Sequence, residues 1–161
     1  MHVVLYEPDI PGNTGNVGRS CLATGTTLHL VGKLGFSLDD SHVRRSGLDY
    51  WDRVKVVKYP DWETFLATLR PKSCLYFFSK KAKQGYWAAT FATESYLIFG
   101  CETGGLPAAL HQQYADHFYR IPMVEDSVRS LNLSTSVGIV LYEALRQTGG
   151  IVNAGILTKT T

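Results

Sequence analysis

An α/β fold, a mostly parallel β-sheet flanked by helices, is what this sequence predicts, and three observations predict it. Short runs rich in β-branched and aromatic residues alternate with segments of helical period. Three polar, glycine-bearing segments each follow one of those runs, where an open parallel sheet carries its ligand loops. The 161 residues, 45% hydrophobic and 19% charged, suffice for one packed domain and exclude disorder as the main state.

Taken in order, His2–Tyr6 opens the sheet with an apolar run too short for a helix. A Pro-Gly-Asn turn at 11–13 leads to a helix over 14–24. Thr27–Val31 and 54–58 read as the next strands, and Asp61 stands where it can N-cap a helix over 62–69. Residues 74–79 and 96–100 are aromatic-rich strands. The helix over 106–114 carries Pro107 in its first turn, where a missing N–H loses no hydrogen bond. After a strand at 118–121 comes the best-supported helix, 133–147. Its Leu133, Val137, Val140, Leu141, Ala144 and Leu145 recur at three and four, and Gly149-Gly150 supply a stop. With no repeat, linker or low-complexity run, 1–150 reads as one domain and 151–161 as a tail, apolar enough to dock on the body or on a partner chain.

Composition narrows the function classes. A formal charge of +2 neither demands nor excludes a polyanionic partner, so any nucleic-acid signal must be local. Cys21, Cys74 and Cys101 form no Cys-x-x-Cys pair, which argues against a disulfide framework or zinc site and fits a reducing cytoplasm. The five histidines never fall at the i, i+4 spacing of a helical metal pair, so they read as packing residues and no metal is expected. No apolar stretch reaches the ~20 residues that span a bilayer.

The chemistry concentrates in the three strand-end segments. In 7–20 the glycines are spaced by three, which is neither the dinucleotide fingerprint nor a P-loop. Glycine beside a helix start lets backbone approach an anion, and Arg19 one turn in could grip a phosphate or simply be a solvated charge. In 98–107, Gly104-Gly105 give a side-chain-free loop against which a flat ligand could lie, while Glu102 either meets that ligand or caps the next helix. In 121–136, Ser130, Asn132, Ser134 and Thr135 exceed what capping needs, leaving groups to satisfy a base edge or a sugar.

The order and spacing of all three segments resemble the SPOUT superfamily of RNA methyltransferases and its SpoU-like 2′-O-methyltransferases. Asn13-Thr14-Gly15-Asn16-Val17-Gly18-Arg19 looks like the first motif and Phe99-Gly100-Cys101-Glu102-Thr103-Gly104-Gly105-Leu106-Pro107 like the second. Ile121-Pro122-Met123 with Ser130-Leu131-Asn132-Leu133-Ser134 looks like the third. Val4-Leu5-Tyr6-Glu7-Pro8-Asp9-Ile10-Pro11 and Arg44-Arg45-Ser46-Gly47-Leu48-Asp49-Tyr50-Trp51 are similar to the minimal branch that methylates the tRNA wobble nucleotide, cytidine or modified uridine. Other small SpoU-like enzymes, acting on other tRNA or rRNA nucleotides, share the same body.

The resemblance implies a C-terminal deep trefoil knot, a homodimer through the knot region and a cytoplasmic enzyme without membrane or metal. The implied cofactor is S-adenosylmethionine, with S-adenosylhomocysteine as product, held by Phe77, Gly100, Glu102, Ile121, Ser130 and Leu131. Arg19, Ser130 and Asn132 are the implied catalytic set, and Asn13, Arg19, Arg44, Arg45 and Arg129 the implied contacts to a tRNA anticodon stem-loop. A guanidinium with a pKa above ~12 is a poor base, so Arg19 is expected to hold the phosphate and the 2′-oxygen, with Ser130 and Asn132 orienting it. The general base is unassigned. Tyr50, Trp51 and Trp87 offer stacking faces for RNA, while Lys80, Lys81 and Lys83 read as a solvated loop. The residues alone leave two rivals: a non-catalytic RNA-binding module and a doubly wound nucleotide-binding enzyme.

Overall fold

The structure, a computed structural model, describes residues 1–37, 50–124 and 128–150. Its centre is a sheet of seven strands: β1 (His2–Tyr6), β2 (Thr27–Val31), β3 (Val56–Tyr59), β4 (Leu75–Phe78), β5 (Gln84–Gly85), β6 (Tyr96–Phe99) and β7 (Phe118–Arg120). They lie in the order β3-β2-β1-β6-β4-β7-β5, and every neighbouring pair is parallel. Among the described residues four α-helices accompany them: α1 (Pro11–Thr24), α2 (Trp62–Ala67), α3 (Ala108–Gln113) and α4 (Leu133–Thr148).

Strand alternation sends neighbouring residues to opposite faces, and both faces are covered. Val3, Leu5, Leu28, Leu30, Leu97, Phe99 and Phe78 meet Val17 and Cys21 of α1 and the apolar stripe of α4. Val4, Val31, Ile98, Phe77 and Phe118 meet Trp62 and Phe65 of α2 and Leu110 of α3. Two covered faces explain why the central strands read as unbroken apolar runs. Burial pushes the Cys21 thiol up to about 12, so this cysteine acts as a packing group.

The expected elements form, with shifted ends. Strand β3 begins at Val56, and α2 stops at Ala67 behind the Asp61 cap, whose Oδ1 accepts the Thr64 N–H at 2.7 Å. Helix α3 is shorter than expected because Pro107 is its N-cap residue and not an interior one. The larger change is at α1. The Pro-Gly-Asn turn is instead its first turn, since the fixed φ of Pro11 suits the helix start. Its glycines therefore lie inside the helix: a Cβ on Gly18 would stand 2.4 Å from the Trp51 ring, so the glycine admits that indole. Strand β5 has no apolar alternation and was not foreseen. The tail 151–161 lies outside the described residues.

Candidate functional site

The loops after β1 and β6 and the start of α4 meet at the carboxyl end of the sheet, tied by a polar relay. Glu102 accepts the Asn13 Nδ2–H on one carboxylate oxygen and the Asp9 backbone N–H on the other, both at 2.8 Å. Asn13 Oδ1 accepts in turn from Asn132 Nδ2 at 2.9 Å. Asn132 Oδ1 then caps α4, taking the N–H groups of Ser134 and Thr135 and the Ser134 hydroxyl. A clasp from the Thr103 hydroxyl to Asp9 Oδ2 at 2.6 Å adds a second tie between the first two loops. Each member is both anchor and anchored, so the relay fixes the spacing of three chain segments.

The relay borders a cleft of about 560 Å³, a volume suited to a nucleoside-sized ligand. Its walls are apolar at Phe78, Phe99, Leu106, Ile121, Met123 and Leu131, with the backbone of 100–105 along one side. That backbone curls tightly. Gly105 N donates to Cys101 O at 3.0 Å, and a Cβ on Gly100 would lie 2.2 Å from the Gly105 carbonyl carbon, so only glycine fits there. The Cys101 sulfur accepts the Gly104 N–H at 3.3 Å, steadying the turn.

The cleft gathers Gly100, Glu102, Ile121, Ser130, Leu131, Asn132 and Asn13. Phe77 is not among its walls. Alternation turns its ring into the opposite core, stacked on Phe118 and Tyr114, and it is Phe78 that reaches the cleft. Glu102 caps no helix, because both of its oxygens serve the relay. Arg19 lies six residues beyond Asn13, about 9 Å along the helix axis, and is absent from the cleft lining. Its guanidinium sits 5.0 Å over the Tyr50 ring, and its Nε donates to the Tyr50 hydroxyl at 3.2 Å. Arg129 is exposed beside the cleft, its carbonyl taking the Lys80 ammonium at 3.1 Å. Arg44 and Arg45 lie outside the described residues.

Several lining residues escaped the sequence reading. Lys80 and Lys81 stand on the cleft wall, not apart from it. His111 also lines it, its ring stacked on Phe118 at 4.0 Å, and burial with the Lys81 charge holds its pKa below the usual imidazole range. The signal for Lys80 and Lys81 was positional only, since they follow β4 at the carboxyl end of the sheet, and His111, inside α3, carried no local signal. Among the described residues, no group of His, Cys, Asp and Glu could hold a metal ion, and no helix is long and apolar enough to cross a membrane.

Comparisons with known proteins agree with this geometry. The SpoU rRNA methylase family matches residues 1–142. A tRNA (cytidine(34)-2′-O)-methyltransferase of Escherichia coli K12 is 44% identical over 150 residues, covering 92% of this chain and 94% of that protein. A solved structure giving insights into 2-OH methylation of C/U34 on tRNA superposes with a TM-score of 0.85 at 40% identity, covering 91% and 89% of the two chains. The SpoU methyltransferase AviRb of Streptomyces viridochromogenes, in complex with AdoMet, gives 0.77 at 27% identity over 91% of this chain and 57% of its own.

Proposed function

The chain belongs to the SpoU rRNA methylase family, and from that premise we propose that it is an S-adenosylmethionine-dependent enzyme methylating the ribose 2′-hydroxyl of tRNA nucleotide 34. The observation that carries the reading is the Glu102–Asn13–Asn132 relay beside the cleft, because it joins the three motifs around one ligand-sized space. The donor set suits the cofactor. Apolar walls would accept the adenine faces and the methionine carbons, while strand-end backbone would offer N–H and C=O groups to a base edge. When bound, S-adenosylmethionine supplies a methyl group already activated on a sulfonium.

The protein's task is then alignment and removal of one proton, and proximity can supply much of the rate. Gly100, Ile121, Ser130 and Leu131 would hold the cofactor, with Phe78 as an aromatic wall next to the Phe77 backbone. Glu102 and Asn132 are positioning residues in this scheme, since their polar atoms are engaged with protein. Arg19, steadied by Tyr50, would hold the phosphate and 2′-oxygen of the incoming nucleotide as a fixed cation and not as a base. Arg44, Arg45 and Arg129 would extend the grip on the anticodon stem-loop.

We also infer a homodimer and a C-terminal trefoil knot, in a cytoplasmic enzyme. Supporting them are family membership, the exposed Tyr142 on the apolar helix α4, and the bond by which the start of α4 reaches back to Asn13. Labelled S-adenosylmethionine incubated with tRNA should yield a 2′-O-methylated ribose at nucleotide 34. Arg19→Ala should abolish transfer while calorimetry still registers cofactor binding; loss of both would remove the role given to Arg19.

A further inference from the structure

The three aromatic residues that could stack on RNA do not share one fate. Tyr50 is spent on Arg19 and on the Gly15 carbonyl, and Trp51 fills the notch over Gly18. Trp87 remains 64% exposed, seated against Gly85, where a Cβ would come within 2.8 Å of the indole. It follows β5, the edge strand, whose one neighbour among the described residues is β7. A lone exposed tryptophan is unremarkable by itself, but its surroundings are not neutral.

Lys80, Lys81 and Lys83 lead into β5, and Gly85 pairs in register with Arg120; all four cations are exposed. Residues 79–92 and 118–124 contain no carboxylate to balance them. Two of the cations, Lys80 and Lys81, line the cleft itself, and Lys80 holds the Arg129 carbonyl. Exposed cations therefore follow one another from the cleft lining at Lys80 and Lys81 through Lys83 to β5, where Arg120 pairs across from Gly85, the residue on which the indole sits. Unpaired bases splayed from a loop are bound by this combination, with aromatic faces taking the base and cations the phosphates.

We propose that Trp87, with Lys83 and Arg120 beside it, is a stacking platform for an unpaired nucleotide neighbouring the one that is methylated, and that it sets affinity for RNA. The inference rests on the reading of the cleft as a tRNA 2′-O-methyltransferase site. It concerns a surface outside the three motifs, and Trp87 belongs to neither the relay nor the cleft lining. Protein or membrane partners fit less well, since the strip is cationic and carries one large apolar group.

The test titrates the full-length protein with an unmodified anticodon stem-loop RNA and with bulk tRNA, following tryptophan fluorescence and methyl transfer. Trp87→Ala should raise the KM for tRNA about tenfold, as expected for losing one stacked base. Its kcat at saturating tRNA and its affinity for S-adenosylmethionine should stay at the wild-type values. Trp87→Phe should restore most of the affinity while losing the RNA-induced quenching of indole emission. Lys83→Ala and Arg120→Ala should each flatten the salt dependence of binding. A Trp87→Ala enzyme with unchanged KM for tRNA overturns the proposal. If wild-type protein binds RNA with quenching but transfers no methyl group, the methyltransferase reading fails and the platform stands.

Discussion

Single residues carry consequences that can be measured separately. Gly18 is required by contact, not by backbone conformation, so Gly18→Ala should displace Trp51 and destabilise the protein by about 1–3 kcal/mol in urea unfolding. Glu102 spends both oxygens on the relay, so Glu102→Gln should weaken S-adenosylmethionine binding about tenfold in calorimetry while leaving the fold in place. At the other end of the sheet, His29 is buried between His2 and Tyr59, its Nε2 2.9 Å from the His2 ring and its Nδ1 3.1 Å from the Tyr59 hydroxyl. Burial first, then the charges of His2 and the N-terminal ammonium, holds the His29 pKa down at about 4, against an ordinary 6.5. As pH falls the unfolded chain takes the proton first. Stability from this group is therefore complete above pH 6.5 and lost on descent to about pH 4, by about 3 kcal/mol in all. Urea unfolding across that range should show the slope, and His29→Gln should reduce it; His2 and Glu94, which face the same cluster, and His111 beside the cleft add to it with the same sign.

At the scale of elements, legibility followed the strength of the local signal. Helix α4 was readable because its apolar stripe, N-cap asparagine and closing glycines agree, and β1, β2 and β6 were readable because burial on both faces leaves them mostly apolar, with His29 of β2 an exception. Helix α1 was misjudged at its start because Pro-Gly-Asn favours a turn locally, and the Trp51 contact that makes glycine useful inside the helix comes from more than thirty residues away. Strand β5 is two residues long and exists through pairing with β7, which no local pattern encodes. In the site, the motif residues could be found but not their partners. That Phe78 and not Phe77 faces the cleft is a question of strand register, and that Glu102 serves Asn13 is a question of tertiary approach. The cap of α4 and the relay share Asn132, and two substitutions separate them. Asn132→Ala should lower the melting temperature, as loss of a cap worth about 1 kcal/mol requires, and weaken cofactor binding. Asn132→Asp keeps the cap but loses the donor to Asn13, so calorimetry should show weakened cofactor binding with a melting temperature closer to wild type.

For the whole molecule, a near-neutral composition conceals an uneven surface. The sheet carries apolar layers on both faces and brings the three motif loops to one end, so the ligand cleft, the relay and the positive strip of 80–83 occupy the same rim. A net charge of +2 is compatible with RNA binding because the cations are grouped where the cleft opens. In the proposed reaction this rim brings a cofactor methyl group and a ribose 2′-oxygen together. Mass-spectrometric mapping of tRNA incubated with purified protein and S-adenosylmethionine tests it most directly. Methylation should be confined to the 2′-oxygen of nucleotide 34 and depend on Arg19; methylation on a base, on another nucleotide, or none despite bound cofactor would refute the assignment.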